Sequence, residues 1–152
     1  MSYHRLLYLL ILLLPATPAT AQATLDGSWE GFMMVGGIYS GEELPMQLYL
    51  TTEGRVVTGR SYVQLPDGST LRMDLKGRLH GDMSLTLIET GFGGDPNNDV
   101  MPEFARQYQI IFKPDLWDAR LRGYWQEQTK EVFGPDRRRG RMRLKRQAVK
   151  GA

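Results

Sequence analysis

The chain has 152 residues, no Cys, two His, and 19 Lys and Arg against 17 Asp and Glu. That length supports one domain with a real core and is too short for two once a leader is set aside. The missing thiols exclude disulfide staples, thiolate zinc sites and Cys nucleophiles, and a formal charge of +2 leaves any attraction to polyanions to local patches.

Residues 1–23, MSYHRLLYLLILLLPATPATAQA, have the form of a secretory signal. His4 and Arg5 precede an apolar run from Leu6 to Leu14, followed by Pro15 and small residues, with cleavage expected after Ala21 or Ala23. The run is about half of the roughly 20 residues that a helix needs to cross a bilayer, so it reads as an address. Without a lipid-accepting Cys, the expectation is a bacterial protein exported to the periplasm or secreted, with residues 24–152 as its single domain. Losing the leader removes only Arg5 from the basic count, and the domain is near neutral.

From Gly27 onward the dominant period is two, the mark of strands with one buried face. Leu71-Arg72-Met73-Asp74-Leu75-Lys76-Gly77-Arg78-Leu79 is the cleanest case, because a helix would scatter its charges around the circumference. Eight runs are predicted, over residues 27–35, 43–52, 55–64, 69–79, 82–90, 105–113, 117–127 and 139–146. Most links carry turn chemistry: Thr52-Glu53-Gly54, Pro66-Asp67-Gly68, His80-Gly81-Asp82, Lys113-Pro114-Asp115 and Gly134-Pro135-Asp136. Short links pair neighbours in order, and eight strands close with an interior just wide enough for side chains or one small ligand. The fold class is therefore all-β, an eight-stranded antiparallel up-and-down barrel.

Glycines recur on the apolar faces, as in Val57-Thr58-Gly59, Leu75-Lys76-Gly77 and Leu121-Arg122-Gly123. Gly weakens a strand, so its repetition implies strong coiling or a large side chain crossing close over the backbone. Trp29, Gly31 and Met33 share such a face.

Gly27-Ser28-Trp29 resembles the Gly-x-Trp element of the calycin superfamily, which includes lipocalins, fatty-acid-binding proteins and avidins. The resemblance implies a lipocalin-like barrel in which Trp29 plugs the closed end and a basic side chain of the last strand packs across it. Arg141 and Arg143 lie on that strand, but they alternate with Met142 and Leu144, so only a twist or bulge would bring one over Trp29. The chain departs from lipocalins in lacking a disulfide and a helical segment after the last strand.

Candidate chemistry is sparse. After the leader the sole His is His80, at a strand end beside Gly81 and Asp82, where it reads as a turn residue. Asp95-Pro96-Asn97-Asn98-Asp99 has superficial calcium-ligand spacing, but the twelve-residue calcium loop wants Gly and an acid where Val100 and Arg106 stand. No residue pattern asks for a metal or a cofactor. Glu89 and Glu127 each end an apolar face; pointing inward near one mouth they would act as acid and base or anchor a ligand, and otherwise they are solvated rim residues.

The stretch RRRGRMRLKR places Arg137, Arg138, Arg139, Arg141, Arg143, Lys145 and Arg146 within ten residues. Alternation with Gly140, Met142 and Leu144 predicts a strand with a basic outer face and acids on the adjacent strands. An exported protein rarely meets nucleic acid, and no aromatics are interleaved for stacking, so a functional patch would serve anionic lipid head groups or acidic polysaccharide.

Three readings follow, and an enzyme, for which only the two glutamates converge, ranks behind both soluble ones. The first is a barrel holding a small apolar or amphipathic molecule, lined or plugged by Trp29 and Trp125, with Tyr62, Tyr108, Glu89 and Glu127 near a rim. A second is an interaction protein with a packed interior, acting through residues 91–103 or the basic last strand. The third inverts the barrel, its apolar face towards lipid.

Overall fold

A computed structural model describes residues 25–36, 41–129 and 137–148. The leader and the Gly134-Pro135-Asp136 turn lie outside the described residues. Eight strands follow in chain order: β1 (Gly27–Val35), β2 (Glu43–Glu53), β3 (Val56–Gln64), β4 (Thr70–Leu79), β5 (Ser84–Phe92), β6 (Arg106–Lys113), β7 (Arg120–Glu127) and β8 (Arg139–Arg146). Each pairs antiparallel with the next, and β1 also pairs with β8, so the sheet closes as an up-and-down barrel with no free edge.

The period-two pattern becomes the two faces of the wall. On β2, Leu44, Met46, Leu48 and Leu50 are buried and their neighbours exposed; the same alternation on all eight strands builds one core. Because the apolar face points inward, the inversion towards lipid does not hold: charged residues such as Arg122, Arg141 and Arg143 cover the outer face.

Only β1 and β8 have the expected limits; most of the others shift by one residue, β5 begins at Ser84 rather than 82, and two further departures have a visible cause. β7 begins at Arg120 rather than 117, because Asp115 Oδ1 accepts the N–H groups of Trp117 and Asp118 and ties them into a turn, leaving Trp117 95% exposed. β5 runs past residue 90 to Phe92 through a bulge: Asp74 faces Gly91 and Leu75 faces Glu89, so Thr90 is the extra residue. The parity reverses there, which turns Phe92 towards the core.

At the closed end Trp29 is fully buried, donates its indole N–H to the Leu25 carbonyl at 2.9 Å, and meets the edge of Phe112 at 5.7 Å. A cation does cross its ring, but it is Arg146, at 4.8 Å from the centroid, and neither Arg141 nor Arg143. No twist is needed. Inward parity runs Met142, Leu144, Arg146, and Arg146 stands opposite Trp29 in the β1–β8 ladder. This is the arrangement that the calycin resemblance implies.

The strand glycines answer to close approach. A Cβ on Gly123 would lie 2.1 Å from the Gln109 carbonyl oxygen of β6, too near for any side chain. Gly140 keeps a path clear: a Cβ there would sit 1.8 Å from the Met34 oxygen and 2.6 Å from Trp125 Nε1. Across that gap the Trp125 indole of β7 donates to the Met34 carbonyl of β1 at 2.9 Å, spanning β8 altogether.

Candidate functional site

The barrel interior was the first place where the sequence put a site. Trp29, Tyr108 and Trp125 are at most 2% exposed, and both indole N–H groups are engaged by backbone carbonyls of the barrel itself. Trp125 stacks on Phe104 with ring centroids 6.4 Å apart. These side chains belong to the buried core, and neither indole has a free donor for a guest.

Glu89 is not a rim residue. The bulge at Thr90 carries β5 beyond it, so its carboxylate is held inside the wall with no exposure of the side chain. Oε2 accepts the Arg106 backbone N–H at 2.7 Å, Oε1 accepts the Tyr108 hydroxyl at 2.6 Å, and Arg106 Nη1 lies 3.5 Å from Oε1. The Arg106 guanidinium is 4.6 Å from the Phe104 centroid and 5.4 Å from that of Trp125, so the cation is covered by aromatic faces. Burial raises the Glu89 carboxyl above the usual range against the opposing pull of Arg106 and Tyr108. Burial likewise pushes the Tyr108 hydroxyl well up, the Glu89 charge adding to it.

Glu127 does face the same end but takes different partners. It is half-buried and accepts the Arg138 backbone N–H at 3.3 Å. The two glutamates thus take separate partners, with Arg106, bound to Glu89, standing opposite Glu127 in the β6–β7 ladder. Arg106, central to this cluster, was missed in the sequence, although its even parity with Tyr108 and Ile110 already aimed it inward.

Tyr62 belongs elsewhere. Ser61 and Val63 are the inward residues of β3, so Tyr62 points out and packs edge-on to Tyr49 at 5.5 Å. It lies in an open groove of about 950 Å³ on the outer wall. Register explains the groove's lining. One lateral row runs Arg120, Lys145, Glu30, Gln47, Tyr62, Arg72 from β7 across the β8–β1 closure to β4. The next runs Arg122, Arg143, Phe32, Pro45.

The basic stretch is divided by this geometry. Arg143 and Lys145 enter the groove, Arg139 and Arg141 lie outside it, and Arg146 turns in to Trp29. Arg138 pairs with Glu103 at 2.8 Å and covers Phe104, while Arg137 binds Gln126 and Thr129. Acids were expected beside the basic outer face. On the β1 side Glu30 does oppose Lys145, but β7 places Arg120 against Lys145 and Arg122 against Arg143. Asp118 pairs with Arg120 and lies 4.0 Å from Lys145, which offsets the first couple, whereas Arg122 and Arg143 share no carboxylate, and like charges directly opposed on one face are destabilising.

The remaining candidates close on themselves. His80 is exposed, with Nε2 at 3.2 Å from Thr86 Oγ1. Asp95 accepts from Asn97 and Asn98, and Asp99 accepts the Asp95 N–H at 2.7 Å, so the loop carboxylates serve its own turn. Among the described residues no three His, Cys, Asp or Glu side chains are grouped as a metal would require. No family model, curated protein or solved structure matches the chain, and its likeness to calycins rests on the closed eight-stranded barrel with Trp29 beneath Arg146.

Proposed function

We propose that this is an exported, non-catalytic recognition barrel that works through its outer wall. The internal satisfaction of the core carries the reading: Trp29, Tyr108 and Trp125 are buried, and their polar atoms are engaged by Leu25, Glu89 and Met34. A guest of useful size would have to displace an indole and leave its N–H unpaired in an apolar core, at a cost of several kcal/mol on the order of a lost buried hydrogen bond plus its packing. The leader-like residues 1–23 support export to the periplasm or beyond.

Native mass spectrometry of the protein extracted gently from a periplasm, followed by titration with a long-chain fatty acid, tests the reading. The expected result is an apo mass and no saturable change in tryptophan emission. A one-to-one complex that quenches Trp125 and dissociates on denaturation would return the site to the interior.

A further inference from the structure

The outer groove is a place where the fold tolerates unfavourable electrostatics. Arg120 faces Lys145 and Arg122 faces Arg143 on adjacent strands, two cation pairs in succession. Five cations line the groove with one carboxylate, Glu30, which is held by Gln147. Asp118 pairs with both Arg120 and Lys145 and so bridges that couple, Glu43 and Asp99 pair with Arg143 and Arg72 from outside the lining, and Arg122 has no ion pair among the described residues. The pairs of Arg120 and Arg143 are solvent-exposed and weak, so an incoming anion can exchange with them, whereas Asp99 is more enclosed beside Arg72.

Charge is not spread evenly along the groove. Four cations sit over β7 and β8, Arg72 stands on β4, and the floor between carries Phe32 and Tyr62 with the amides Gln47 and Gln64. From β8 to β4 is four strand spacings, half the circumference of the closed barrel, so the path of roughly 19 Å between them follows the curved wall. A ligand matching both ends must be extended and carry anions at intervals, with a hydroxyl-rich, partly apolar body to meet amides and ring faces. A bilayer is flat and cannot enter a trough, and Phe32 and Tyr62 stand two strands apart on different rows, opposite Pro45 and Gln47, rather than side by side for successive base stacking.

We infer that the groove across β7–β8–β1–β2–β3–β4 binds an acidic polysaccharide, gripping its anionic groups with Arg120, Arg122, Arg143 and Lys145 and threading its sugar rings over Phe32 and Tyr62. This rests on the outer-wall reading above. It accounts for Arg122 and Arg143, which face each other with no carboxylate shared between them: a bound anion would bridge the two.

The test uses the protein without its leader and polygalacturonate as probe, with neutral dextran, anionic phospholipid vesicles and single-stranded DNA beside it. Binding is read by calorimetric titration at two salt concentrations. Polygalacturonate should bind and dextran should not. R122Q/R143Q should weaken binding roughly tenfold and flatten its salt dependence, whereas R139Q/R141Q, with the same charge change outside the groove, should alter it less than about twofold. Melting temperatures of both variants at or above that of the wild type would show that the fold is kept. Equal losses in the two variants, or tighter binding to vesicles or DNA, would overturn the proposal. Such a failure leaves the reading of the interior untouched, since the fatty-acid titration tests that separately.

Discussion

The Glu89 carboxylate accepts from Tyr108 and from the Arg106 backbone while neutralising the Arg106 guanidinium. Glu89→Ala strands a buried cation and a buried hydroxyl, so it is expected to cost about 3–5 kcal/mol in urea unfolding. Glu127→Ala, which removes one long bond from a half-buried side chain, should cost about 1 kcal/mol or less. Similar small costs would mean that Arg106 finds another partner. pH adds a signed check. With the Glu89 carboxyl raised by burial, the folded protein binds more protons than the unfolded chain between the ordinary Glu value and the raised one. Over that window its ionisation subtracts stability as pH rises. Turn aspartates such as Asp67 and Asp82, held low by the hydroxyls of Ser69 and Ser84, act with the opposite sign but are common to both proteins. The melting-temperature advantage of the wild type over Glu89→Gln should therefore be largest below the window and shrink through it. An advantage that grows with pH would show that Arg106 outweighs burial.

Strands are where the sequence was most legible, because alternation depends only on which side of a half-buried wall each residue faces. The eight runs, their order and the inward course of Trp29 and Trp125 could be read that way, whereas Tyr108, expected near a rim, is wholly buried on the inner face of β6. What escaped depends on neighbours in space. The Thr90 bulge extended β5 and took Glu89 from an assumed rim into the wall. Arg146 needed only its parity with Met142 and Leu144, yet Arg141 and Arg143 were weighed for its role. Tyr62 sat at an outward position from the start. The opposed cations of β7 and β8 require register, which no single strand contains. Glycine spacing was legible as a need for closeness, and Gly123 shows its source. A Cβ there would press on backbone of β6, which cannot swing aside as a side chain can. Gly123→Ala is expected to cost about 1–3 kcal/mol through forced displacement of the strand pair. Gly81→Ala, with nothing within 4 Å of the added carbon, should stay within about 0.5 kcal/mol. Comparable costs at the two positions would mean that lost backbone freedom, not collision, sets the value.

Across the whole barrel, one seam is built differently from the rest. The β5–β6 ladder is the shortest, running only from Ser84 opposite Ile111 to Ile88 opposite Gln107. Beyond it side chains take over: Glu89 accepts the Arg106 N–H, and Gln128 donates to the Arg106 carbonyl at 2.8 Å and to that of Glu89 at 3.4 Å. Side-chain lacing is easier to undo than a ladder, so local opening should begin here. In Gln128→Ala, amide hydrogen exchange in residues 84–92 and 105–108 is expected to quicken roughly tenfold, the worth of a lost buried hydrogen bond. Amides of β1 to β3 and of β8 should keep their protection. The groove lies over the other arc of the barrel, from β7 through the β8–β1 closure to β4, and none of its lining residues belongs to β5 or β6. Polygalacturonate affinity should thus survive Gln128→Ala unchanged even as the seam loosens. Uniformly faster exchange, accompanied by weaker binding, would mean instead that the barrel opens as one unit and that the seam's lacing holds the recognition face in shape.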